Sequence, residues 1–169
     1  MSHERTVVDQ LLFNTRLHQM RFEGPRPVEP AKRLAIVACM DSRLDIFDLF
    51  GLTIGEAHVM RNAGGLVTDD MLRSLVLSQR ALGTREIILV HHTDCGLQKF
   101  TEDEMQARIA ADVGEPAPYA FGAFTDVDED VRRSLQRVRE HRFLPHRDHV
   151  RGFVYEVATG TLREIHLPD

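Results

Sequence analysis

Two short motifs hold the residues of this chain whose types and spacing best suit chemistry. They are Cys39-Met40-Asp41-Ser42-Arg43 and His92-Thr93-Asp94-Cys95-Gly96. Zinc binds cysteine thiolates and histidine nitrogens, so Cys39, His92 and Cys95 would supply three protein ligands. The fourth tetrahedral position would then be left for water or substrate. An open position of this kind distinguishes a catalytic zinc site from a structural one.

Each motif follows an apolar run that is typical of a buried strand. Leu34–Ala38 is too short for a helix and lacks polar alternation, and Glu86–Val90 has the same character. Neighbouring strands lie about 4.8 Å apart, and ligands of open α/β sheets gather beyond the carboxyl ends of the strands. One ion could therefore be held between two adjacent strand ends.

The remaining pattern predicts an α/β fold with a mostly parallel central sheet flanked by helices. Further strands are predicted at Ala57–Met60, Gly152–Val157 and Leu162–Ile165. Helices are predicted from Val7 to Leu17, from Thr68 to Gly83, from Thr101 to Gly114 and from Thr125 to His141. Strands that alternate with helices favour parallel pairing.

Bulk properties narrow the class of protein. The chain has 169 residues, of which 43% are hydrophobic, and this suits one domain spanning residues 1–169. A formal charge of −5 gives no field that would collect nucleic acid or anionic lipid. No apolar run is long enough for a membrane span, and the only two cysteines would stay reduced in a cytoplasmic protein.

Several alternatives remain open on the residues alone. Cys39 could be a buried small hydrophobe, since free cysteine is often buried. His91 is a rival ligand to His92, and only the spacing to Cys95 favours His92. Cys39 could also be the nucleophile of a cysteine hydrolase with His92 as its base. In a further alternative, zinc only stabilises a non-catalytic dimeric module.

Taken together, the motifs resemble the signature of the β-carbonic anhydrases. The resemblance rests on Cys39-x-Asp41-x-Arg43, Arg61-Asn62-Ala63-Gly64-Gly65 and His92-x-x-Cys95, and it is closest to the short bacterial and archaeal members. It implies one zinc ion per subunit and the reversible hydration of carbon dioxide by a zinc-bound hydroxide. It also leaves open a related zinc hydrolase acting on another small linear substrate such as carbon disulfide. The chain has no tryptophan, the residue that bicarbonate-regulated members use in a secondary anion site.

The resemblance also implies roles for particular residues and for the assembly. Asp41 would accept a hydrogen bond from the zinc-bound hydroxide and Arg43 would hold Asp41 in place, although the pair could be a simple capping salt bridge. Gly64 and Gly65 are candidates for close approach to a linear, nonpolar substrate. The implied strand order is 2-1-3-4 with a fifth strand at one edge. The implied assembly is a homodimer, possibly a tetramer, in which an N-terminal helical arm (residues 1–24) reaches the partner.

Overall fold

A five-stranded sheet organises the part of the chain that the structure describes. In this computed structural model that part is residues 6–168, so the first five residues of the predicted arm lie outside it. The strands are β1 (Leu34–Cys39), β2 (Ala57–Asn62), β3 (Glu86–His92), β4 (Val150–Glu156) and β5 (Thr161–Ile165). Their order is β2-β1-β3-β4-β5, with β1 to β4 parallel and β5 antiparallel to β4. The predicted order and edge strand are confirmed.

Five helices connect or flank these strands. They are α1 (Val7–Met20), α2 (Ile46–Phe50), α3 (Asp69–Arg80), α4 (Glu102–Val113) and α5 (Val127–Glu140). The Thr101 hydroxyl accepts from the Glu104 amide while the Glu104 carboxylate accepts from the Thr101 amide, as the capping-box spacing predicts. Sequence reasoning missed α2, because five residues are too few to show helical periodicity. No helix within residues 6–168 is long and apolar enough to cross a membrane.

Helices α3 and α5 cover one face of the sheet. The His58 ring of β2 lies 2.8 Å from the Ser78 hydroxyl of α3. On the same face, a β carbon at Gly152 of β4 would lie 2.5 Å from Val131 of α5, so this glycine permits the close packing of the helix. Four consecutive residues of β1, Ala35–Ala38, have no exposed surface. The carboxyl ends of β1 and β3 are thus set in a well-packed frame.

Helix α1 stands apart from this core. None of its 14 residues is buried. Its large apolar side chains are exposed by 45% to 82%, and they are Val7, Val8, Leu11, Leu12, Phe13, Leu17 and Met20. Within residues 6–168, α1 has no packing partner that would explain why it carries so many exposed apolar side chains.

Candidate metal centre

The three predicted zinc ligands meet at the carboxyl ends of β1 and β3. Cys39 is the last residue of β1, His92 is the last residue of β3, and Cys95 lies in the turn that follows. Their ligand atoms all lie within 4.8 Å of one another. The three residues are at most 4% exposed, so the cluster is shielded from bulk water.

The ring of His92 is oriented for coordination. Its Nδ1 lies 2.9 Å from the carbonyl oxygen of Thr93, which can only accept, so Nδ1 carries the proton. The other nitrogen, Nε2, therefore presents a lone pair, and it is buried without a hydrogen-bond partner in the described part of the chain. A backbone carbonyl that fixes the tautomer in this way is a common support for a metal-bound histidine.

The side chain of the neighbouring His91 points to the face of the sheet opposite that of His92, because successive side chains of a strand alternate between the two faces. Its Nδ1 lies 3.1 Å from the Asp130 carboxylate of α5, and His91 is not part of the group formed by Cys39, His92 and Cys95. Of the two histidines, His92 is the one whose ring lies with the two cysteines.

The two thiols form a pair that suits a dication. A hydrogen bond from Cys95 lowers the pKa of Cys39 below the ordinary value of a thiol, and the same pairing raises the pKa of Cys95. A bound dication favours the thiolate form of both cysteines. Two thiolates and one imidazole make a donor set that zinc prefers. These residues fit a zinc ion.

An aspartate and an arginine lie directly beside the triad. Arg43 Nε and Nη2 donate to the two carboxylate oxygens of Asp41 at 2.9 and 2.8 Å. The Asp41 Oδ2 atom lies 3.7 Å from His92 Nε2, so the carboxylate faces the metal position. These hydrogen bonds hold the pKa of Asp41 well below its ordinary value, so Asp41 is an ionised acceptor at neutral pH.

Comparison with known proteins decides the family. Residues 34–120 match the carbonic anhydrase family. β-Carbonic anhydrase 1 of Mycobacterium tuberculosis (strain ATCC 25618 / H37Rv) is 49% identical over 160 residues, which are 95% of this chain and 98% of that protein. The chain belongs to the β-class carbonic anhydrases.

Solved structures agree with this membership. The carbonic anhydrase of Streptococcus mutans superimposes with a TM-score of 0.89 at 39% identity, over 96% of this chain and 99% of that one. A carbon disulfide hydrolase of Acidithiobacillus thiooxidans is more distant, at 36% identity over 80% of this chain and 78% of that protein. β-Carbonic anhydrases are zinc enzymes, and the Cys39, His92 and Cys95 group has the donors for that ion. The similarity supports carbonic anhydrase activity in this chain.

The Asn62-Ala63-Gly64-Gly65 segment of the family signature lies against the ends of β1 and β3. Gly65 is buried, and its φ of +70° is in the left-handed region. A β carbon there would lie 2.8 Å from the Cys39 amide nitrogen and 3.0 Å from the Val90 carbonyl oxygen. Glycine at this position therefore lets the backbone pack against the metal-ligand strands, while the role of Gly64 and Gly65 in substrate contact stays a prediction.

We expect Gly65→Ala to destabilise the metal centre. The left-handed backbone alone costs an alanine about 1–2 kcal/mol, and the contact with Cys39 must also be relieved by moving β1. Gly51→Ala is the matched control, because Gly51 has a φ of +60° with nothing within 4 Å of a β carbon. The midpoint temperature of thermal unfolding and the zinc content should both fall further in Gly65→Ala than in the control. Equal losses in the two variants would contradict this account.

Two residues of the site escaped sequence reasoning. Arg61 of β2 donates to the carbonyl oxygens of Cys39 and Asp41 at 2.9 and 2.7 Å, so it fixes the backbone of the first motif. Gln98 accepts from the Cys95 amide at 3.1 Å and donates to the Thr125 carbonyl at the same distance. Arg61 is part of the Arg61–Gly65 motif, but no local pattern indicated its hydrogen-bond partners.

Proposed function

We propose that this chain catalyses the reversible hydration of carbon dioxide to bicarbonate and a proton, with zinc held by Cys39, His92 and Cys95. One observation carries the proposal most directly. The buried ligand cluster lies beside an aspartate whose Oδ2 atom is 3.7 Å from the free nitrogen of His92 and whose two oxygens are held by Arg43. This arrangement places an ionised acceptor beside the position where the three ligand atoms would hold the metal.

In the proposed reaction the metal supplies the nucleophile, and the side chains of Asp41 and Arg43 orient it. Zinc in such a site lowers the pKa of a coordinated water toward neutrality and so supplies a nucleophile at cellular pH. Asp41, kept ionised by Arg43, can only accept a hydrogen bond, so it orients a nucleophile that retains a proton. Arg43 holds the carboxylate with two parallel contacts, which restrain its rotation. The catalytic roles of Asp41 and Arg43 are part of this proposal.

The surroundings of Gly64 support a nonpolar substrate. A β carbon at Gly64 would lie 2.5 Å from Leu97 and 3.1 Å from Leu66, so the glycine is enclosed by two leucines. Small, apolar surroundings of this kind suit a linear molecule without charge. We therefore assign Gly64 and Gly65 to the wall of the substrate site.

Zinc analysis combined with stopped-flow hydration of carbon dioxide tests the proposed function. We expect about one zinc ion per subunit and turnover that disappears on chelation and returns with zinc. Carbon disulfide turnover should be measured on the same sample, because a carbon disulfide hydrolase is among the relatives. Faster hydrolysis of carbon disulfide would favour that substrate, and zinc without either activity would favour a structural metal. Activity that survives chelation but not alkylation would favour a cysteine nucleophile.

We also infer a homodimer in which α1 packs on the partner, and we assign residues 1–24 to this arm of a single catalytic domain. The absence of any buried residue in α1 supports the inference. So does the sheet face opposite α3 and α5, where Val59, Ile88 and Phe153 are only partly buried. A parallel sheet normally has both faces covered. We extend the proposal to a tetramer of two such dimers, and sedimentation would detect it by its larger mass.

The arm is tested by placing charge on its apolar side chains. Leu11→Glu combined with Phe13→Glu is expected to shift the protein toward monomer, since burying two carboxylates in an apolar interface is costly. The control is Gln10→Glu combined with Asn14→Asp, which adds the same charge at polar positions of α1. Sedimentation at micromolar concentration would show the difference. A dimer that both pairs leave intact would argue against this role of α1.

A cytoplasmic location completes the proposal. Both cysteines are free and buried, and both belong to the ligand cluster. A reducing compartment keeps thiols available for zinc. Fractionation of cells that produce the protein would test this location, and recovery outside the cytoplasm would refute it.

A further inference from the structure

The guanidinium of Arg43 contacts two aspartates, not one. Besides its two bonds to Asp41, the guanidinium donates from Nη1 to Asp94 Oδ2 at 2.9 Å and from Nη2 to the Asp94 carbonyl oxygen at 3.0 Å. Its Nε, Nη1 and Nη2 nitrogens all donate to these partners. The arginine is therefore held from both sides, by the loop after β1 and by the turn after β3.

Asp94 occupies an unusual backbone conformation within the ligand turn. It lies between His92 and Cys95 and has a φ of +54°. Few residues other than glycine adopt the left-handed region, and aspartate and asparagine are the main exceptions. Here the conformation accompanies two contacts with Arg43, one from the carbonyl oxygen and one from the side chain. Strain of this kind is often found where geometry serves function.

The contact is not explained by the stability that it adds. The side chains of Arg43 and Asp94 are 45% and 51% exposed, and exposed ion pairs contribute little to stability. Lys99 binds the other carboxylate oxygen of Asp94, so the aspartate is itself held in place. A two-sided hold on a guanidinium restricts its rotation, and the orientation of Asp41 depends on that guanidinium.

We propose that Asp94 is a positioning residue for the reaction: it holds Arg43 so that Arg43 keeps the Asp41 carboxylate aligned at the metal centre. The proposal rests on the function proposed above. The turn between His92 and Cys95 would then have a second role, since it would also set the geometry of the Cys39–Arg43 motif. Without the Asp94 side chain, Arg43 Nη1 loses its partner among the described residues, and the Asp41–Arg43 pair gains freedom.

Three variants separate this task from a purely structural one. Asp94→Gly keeps the left-handed backbone without strain but removes the carboxylate. Asp94→Asn keeps both a tolerated backbone and an acceptor oxygen, so it should restore the contact. Asp70→Ala is the matched control, because it removes another exposed carboxylate that binds an arginine, at 2.9 Å and away from the metal centre.

We expect Asp94→Gly to keep its zinc and its KM within about twofold, while kcat falls about tenfold, the scale typical of residues that orient a metal site. Asp94→Asn should recover most of that kcat, and Asp70→Ala should match the unsubstituted protein. A second readout needs no activity. In the protein as purified, NMR signals of the Arg43 Nη groups should be resolved from one another, and they should average in Asp94→Gly as the guanidinium rotates freely.

Wild-type kcat and resolved Nη signals in Asp94→Gly would overturn the proposal. Loss of zinc together with activity in that variant would also overturn it, since Asp94 would then maintain the ligand turn itself. The NMR readout keeps the two proposals separable. If the unsubstituted protein hydrates no carbon dioxide, the proposed function fails, whereas the restraint of Arg43 by Asp94 is still measured directly.

Discussion

Replacing Cys39 or Cys95 by serine is expected to remove zinc and to abolish carbon dioxide hydration. A serine hydroxyl stays neutral at the pH where a cysteine beside zinc is a thiolate, so each variant loses one anionic, soft ligand. With only one cysteine and His92 left, the site has two ligands where zinc requires at least three from the protein. The expected zinc content per subunit is near zero, and the expected hydration rate is that of buffer.

A pair of histidine variants provides the matched comparison. His92→Gln removes a ligand and should behave like the cysteine variants. His58→Gln changes a partly buried histidine that bonds Ser78 of α3, so it should retain zinc. Metal analysis after dialysis distinguishes these outcomes. Stoichiometric zinc in either serine variant would refute the ligand assignment.

Arg43→Ala is expected to keep its zinc and its fold but to lose nearly all hydration activity. Arg43 provides the two side-chain hydrogen bonds that hold Asp41, and Asp41 Oδ2 is already 3.7 Å from His92 Nε2. Once the guanidinium is gone, a rotation of the Asp41 side chain would bring an ionised oxygen to the position of a bound zinc ion as a fourth ligand. The approach for water would then be closed, with an expected loss of about 100-fold.

Asp41→Asn should differ from Arg43→Ala in a way that identifies the mechanism. An amide is a poor zinc ligand and can turn its NH2 group toward the metal position as a donor. Activity should therefore fall while the approach stays open, and small anions should inhibit more strongly. Arg73→Ala, which breaks an exposed pair with Asp70, is the control with ordinary activity. Near-native turnover in Arg43→Ala, or water still bound at its zinc in a crystal structure, would contradict the idea that Arg43 keeps Asp41 off the metal.

The sheet and the residues of the Cys39, His92 and Cys95 cluster were largely predictable, because each motif and each strand has a local pattern. Short apolar runs predicted β1 and β3, and the capping residues Thr68 and Thr101 predicted the starts of α3 and α4. The spacing His92-x-x-Cys95 and the position of Cys39 at a strand end suggested one metal. Helix α2 was missed because its five residues carry too little periodic signal.

By itself, the sequence determined which residues could bind a metal and which elements would carry them, since backbone preference and side-chain chemistry are local properties. Only the tertiary structure showed that His92, and not His91, lies with the two cysteines, because this placement depends on which face of β3 packs against α5. The partners of Arg61, Asp94 and Gly65 were likewise decided by the structure alone. The contacts of Arg61 and Gly65, and the contact of Asp94 with Arg43, join residues at least 20 positions apart in sequence. Their geometry is fixed by the register of neighbouring strands, which no local pattern encodes.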